Sequence, residues 1–90
     1  FVVGEKMWQL GRQHQVMCVT HLSQLAAFGN EHYRVSKEVI GERTLTRVEH
    51  LDDPARVAEM AAMTGNTGES NLKAASEILE RARERQALTI

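Results

Sequence analysis

The segment Gln15-Val16-Met17-Cys18-Val19-Thr20-His21 constrains this chain more than any other stretch. Four consecutive apolar residues with no polar alternation suit a strand buried on both faces, as in a parallel α/β sheet. In such sheets ligands gather outside the carboxyl ends of the strands, and His21 stands at that end. The run therefore predicts a strand over 15–20 and makes His21 a candidate site residue. A parallel sheet also needs several strand-helix-strand crossovers, each of roughly 30 residues or more. Ninety residues with one such strand do not supply them. Residues 1–10 read as a helix already under way, because Val3, Met7 and Leu10 share one face and no N-cap residue precedes them. The expectation is the C-terminal piece of a larger α/β protein, incomplete as a stand-alone domain.

Composition narrows the function classes. The chain is 42% apolar and 26% charged, an ordinary globular balance, and only 4% aromatic, so its core must be aliphatic, Ala and Met. A net charge of −1 gives no bulk electrostatic case for nucleic-acid or membrane binding. The single cysteine, Cys18, lies inside the apolar run; it argues against a disulfide framework and reads as a small buried hydrophobe in a reducing cytosol. No apolar stretch approaches the roughly 20 residues that cross a bilayer.

Along the chain, helix 1–10 stops at Gly11, a left-handed cap candidate, with Trp8 off its apolar stripe. Strand 15–20 leads into a two-turn helix over 22–28. Residues 32–39 alternate, with Tyr33, Val35 and Val39 on one side, and predict a half-exposed strand. Gly41 supplies the turn to a second arm over 43–51. Asp52-Asp53-Pro54 is a helix start, with Asp53 as N-cap and Val57, Met60 and Ala61 as buried stripe over 54–64. After a Gly/Ser/Thr-rich loop, the helix over 70–87 buries Leu72, Ala75, Leu79 and Ala82. Leu88 to Ile90 carry no motif.

The order of these elements carries a resemblance. His14-Gln15-Val16-Met17-Cys18-Val19-Thr20-His21-Leu22-Ser23-Gln24-Leu25-Ala26-Ala27, then His32 to Glu38, then Arg56-Val57-Ala58-Glu59-Met60-Ala61, resembles the C-terminal end of the RecN family, SMC-like ABC-type ATPases of bacterial double-strand-break repair. The resemblance implies the C-terminal part of a P-loop ATPase head. It makes His21 the switch histidine beside the γ-phosphate, where it helps position the attacking water and stabilise transferred charge. Gln24 could line the same site, although a helix-surface glutamine is the simpler reading. It further implies ATP and Mg²⁺ in the intact parent protein and neither for the piece alone. The implied partners are the remainder of the head, DNA through the intact protein, and further copies in a homo-oligomer, in the bacterial cytoplasm at the nucleoid.

Two departures stand out. Ser23 occupies a position where the family usually has Pro, and both suit a helix start. The chain also has no G-x-x-x-x-G-K-[ST] loop, no signature motif and no acidic Walker B end, so the piece alone is expected neither to bind nor to hydrolyse ATP.

The competing readings are plainer. His14, His21, His32 and His50 fit no usual zinc spacing and one cysteine completes no set, so no metal site is expected. Arg81, Arg83 and Arg85 interleave with Glu77, Glu80 and Glu84, which favours a solvated helix face over a DNA-binding one. Met7, Met17, Met60 and Met63 read as core filler. The alternative function is a non-enzymatic interaction module that self-associates or binds a partner through its sheet edge and apolar helix faces.

Overall fold

A computed structural model of the chain describes residues 1–88; Thr89 and Ile90 lie outside the described residues. Four helices and one β-hairpin follow in the order α1 (Val2–Gly11), α2 (Ser23–Ala26), β1 (Tyr33–Ile40), β2 (Arg43–His50), α3 (Asp53–Met63) and α4 (Glu69–Leu88).

The core lies where α3 and α4 meet and is closed at one end by α1 and α2. Met60 and Ala61 of α3 face Ala75, Leu79 and Ala82 of α4, and Ala27 and Phe28 following α2 complete the buried set. Val57 and Leu72, expected to be buried in the stripes of the two long helices, are only partly buried and pack at its edge. Burying side chains the size of Met60, Leu79 and Phe28 stabilises by about 1.5–3 kcal/mol each.

Helix α1 turns a different face inward than its apolar spacing suggests. Phe1 and Trp8 pack against the core, whereas Val3 and Leu10 are exposed. Gly4 decides this: it is buried, and with no side chain it lets α1 approach Phe28 closely. Phe1 meets Phe28 edge-to-face at 5.1 Å, and Arg81 of α4 sits 4.6 Å over the Phe1 ring. Gly11 remains inside α1, and Arg12 caps it in right-handed conformation rather than a left-handed glycine.

The hairpin pairs Tyr33 with His50 through Ile40 with Arg43, joined by Gly41-Glu42. Gly41 has φ 64°, which places positive φ at the first turn position, as a type II′ turn requires to match strand twist. Only its base is anchored. Leu51 is buried and its amide donates to the His32 carbonyl at 2.9 Å, and Arg34 bridges Glu49 at 3.1 Å and Glu59 of α3 at 3.7 Å. Beyond that the arms project, and the alternation that predicts a half-buried face meets no layer to cover it. Tyr33, Val35, Val39 and Val48 share one side, and all are more than half exposed.

The main correction concerns residues 15–20. The expected buried, parallel-type strand is absent: the segment has no ladder partner, and the one sheet among the described residues is the hairpin. Val19 is 103% and Met17 90% exposed, and Cys18 is exposed rather than buried. An apolar run can become a sheet interior only where neighbouring strands offer N–H and C=O partners, and here none do. The helix expected over 22–28 shortens to the single turn Ser23–Ala26, continued by turn residues through Phe28. No helix among the described residues is long and apolar enough to cross a membrane.

Candidate functional site

His21 sits in a bend between the open segment and α2. The Leu22 amide donates to Thr20 Oγ1 at 3.0 Å, a side-chain-to-backbone turn that reverses the chain around His21. Leu22 is extended, with φ −104° and ψ 118°, and its carbonyl accepts the amides of Leu25 and Ala26 at 3.1 and 3.0 Å. The next amide, Ala27, donates to Ser23 at 2.9 Å. Ser23 is buried at this start, which leaves His21 and Gln24 pointing to solvent. Neither of these two side chains has a hydrogen bond or ion pair among the described residues. The structure thus brings the two candidates to the exposed amino end of α2.

Besides the packing of α1 at Gly4, side chains of two other helices hold α2 in place. Arg56 of α3, only 5% exposed, donates through Nη2 to the Ala26 carbonyl at 3.2 Å and the Gly29 carbonyl at 2.9 Å. Gln86 of α4 donates to the Phe28 carbonyl at 3.0 Å. The Ala26 carbonyl also accepts the Gly29 amide at 3.1 Å, so Arg56 adds a second bond there, while the Phe28 and Gly29 carbonyls lie in the turn that follows the helix. Hydrogen bonds to a charged donor contribute roughly 1.5–3 kcal/mol each. Burial pushes the Arg56 guanidinium below its ordinary value, and Arg83 nearby pushes the same way, while Asp53 and Glu31 oppose it. Its Nε has no hydrogen-bond partner among the described residues. Sequence reading misses this role, although Arg56 stands four residues before Met60 and therefore on the buried face of α3.

The remaining polar groups mostly tie elements together. Arg83 meets Asp53 at 2.8 Å and Arg85 meets Glu5 at 3.1 Å, so the arginine cluster of α4 is engaged with α3 and α1. The four histidines stay apart: His50 contacts Glu31, His32 is half-buried beside α3, and His14 and His21 are exposed. Among the described residues no three His, Cys, Asp or Glu side chains converge on a possible metal position. Of the methionines, Met60 is fully buried but Met17 is not core filler.

No family model matches the chain. Known proteins do. The chain is 53% identical to the DNA repair protein RecN of Xylella fastidiosa strain Temecula1 over 64 residues, which is 71% of this chain and 12% of that protein. It is 42% identical to that of Deinococcus radiodurans over 78 residues, 86% of this chain and 14% of the relative. With that of Vibrio cholerae it shares 40% identity over 80 residues, 87% of this chain and 14% of the relative. The chain therefore spans 12–14% of the length of these relatives. Identity at this level across most of its own residues, shared with proteins from several bacteria that bear one name, means that the chain belongs to the RecN family.

Proposed function

We propose that this chain is the C-terminal part of an SMC-like, ABC-type ATPase head in a RecN protein that repairs DNA double-strand breaks by recombination. The relatives named DNA repair protein RecN support the repair role. The observation that carries the reading is the segment 15–20: apolar, outside any ladder among the described residues and exposed over 15–19, yet ending in an anchored turn at His21. Leaving Met17 and Val19 in water forgoes about 1.5–3 kcal/mol each. In the intact head the segment enters the sheet as a buried strand, and its carboxyl end delivers His21 to the nucleotide crevice.

There the imidazole N–H donates to an oxygen of the γ-phosphate or orients the water that attacks phosphorus, stabilising charge as it develops. Gln24, on the same exposed end of α2, lines the crevice. The sequence holds no G-x-x-x-x-G-K-[ST] phosphate loop. That loop and the Mg²⁺ site belong to the rest of the head, and DNA is engaged by the intact, homo-oligomeric protein in the bacterial cytoplasm at the nucleoid.

The test is His21→Ala in the full-length protein. Removing one donor from a site of developing charge lowers kcat by roughly 10²–10³-fold with ATP affinity little changed. A second reading, a non-enzymatic interaction module, draws on the exposed hairpin side of Tyr33, Val35, Val39 and Val48. Under it, His21→Ala leaves turnover untouched, and that result would overturn the proposal.

A further inference from the structure

We infer that Arg56 is a positioning residue for His21, acting through helix α2; the inference rests on the reading of His21 just given. A helix of four residues cannot fix its own direction, because nucleation is unfavourable and one turn makes few internal bonds. The direction of α2 is set from outside: α1 lies against it at Gly4, and side chains of α3 and α4 hold the turn at its carboxyl end. Arg56 holds two carbonyls there, those of Ala26 and Gly29, with one Nη group.

The arrangement is specific to that task. Arg56 is buried yet has no carboxylate within ion-pair distance among the described residues, and the neighbouring Asp53 is bonded to Arg83 instead. An arginine that only stabilised the surface of α3 would keep its head in water. This one is desolvated and aimed at the backbone of another element.

The path to His21 is short and continuous. Arg56 holds the Ala26 carbonyl, the Ala26 amide donates to the Leu22 carbonyl, and the Leu22 amide donates to Thr20 Oγ1 around His21. A tilt of α2 released at its carboxyl end swings the turn at its amino end. Misplacement of a reacting group by about 1 Å can lower a rate by about 100-fold.

The experiment uses the full-length protein and compares Arg56→Lys and Arg56→Met, each alone and combined with His21→Ala. Expected are a 10- to 100-fold loss of kcat with ATP affinity unchanged, a milder loss for lysine, and no further loss in the His21→Ala background. Further loss in that background, or unchanged kcat in both single variants, would overturn the positioning role. The His21 imidazole signal in a histidine-labelled protein gives a readout that stability alone would not move. It shifts or broadens in Arg56→Lys, and an unchanged signal counts against the inference. If His21→Ala proves silent, the reading of His21 fails, while the imidazole signal still decides whether Arg56 orients the ring. Gln86→Leu, which frees only the Phe28 carbonyl, replaces Arg56→Met should that variant not fold; lowered kcat supports the clamp and unchanged kcat opposes it.

Discussion

A methyl group added at Gly4 enters a contact that is already closed. An ideal Cβ there lies 2.6 Å from Phe28 Cδ2 and 3.2 Å from the Gln24 carbonyl oxygen. Alanine at an interior helix position improves propensity by about 1 kcal/mol over glycine. Forcing an extra methyl into a packed core costs about 1–3 kcal/mol. Phe28 cannot easily yield, because it is buried and Phe1 holds it from another side. The clash therefore wins, and Gly4→Ala destabilises by roughly 1–2 kcal/mol. Gly11, in the same helix, has nothing within 4 Å of its Cβ position and no positive φ. Gly11→Ala is expected to stabilise by up to about 1 kcal/mol. Thermal melts followed by helical ellipticity should thus move in opposite directions. A Gly4→Ala melt raised as much as that of Gly11→Ala would refute the close packing of α1 on Phe28.

Two further predictions concern titration and association. Burial, reinforced by Arg56 and opposed by Glu59, holds the His32 imidazole below its ordinary value of 6.5. The unfolded chain therefore takes up this proton first, and stability falls as pH drops below 6.5 until it passes the depressed folded value. His32→Gln should flatten that limb in denaturant melts at stepped pH, and a limb of unchanged slope would exclude His32 as its source. The isolated chain, with Met17, Val19 and the hairpin side of Val35 and Val48 in water, should be oligomeric or partly unfolded. Sedimentation of Met17→Lys/Val19→Asp should show a shift toward monomer; a parent chain that is monomeric and melts sharply at all concentrations would contradict this.

Periodicity read the long elements well, since α3 and α4 are each other's partners and both lie in this chain. Asp52-Asp53-Pro54 marks the start of α3, although Asp52 rather than Asp53 takes the capping position, its Oδ1 accepting the Ala55 amide at 3.0 Å. Gly41 likewise marks its turn. Spacing tells which residues share a face but not which face finds a neighbour. In α1 the apolar stripe of Val3, Met7 and Leu10 loses to the face containing Gly4, because close approach to Phe28 matters more than side-chain area. In 15–20 the composition of a buried strand is plain, but burial depends on strands that this chain does not offer. The Arg56 clamp escapes pattern reading because a charged residue on a buried face signals only that some partner exists.

The central claim, that residues 15–20 are a sheet interior which delivers His21, is tested most directly by amide hydrogen exchange at Gln15 to Thr20. The account predicts rapid exchange in the isolated chain, where these amides are unpaired, and strong protection in the full-length protein. Rapid exchange in both would contradict it.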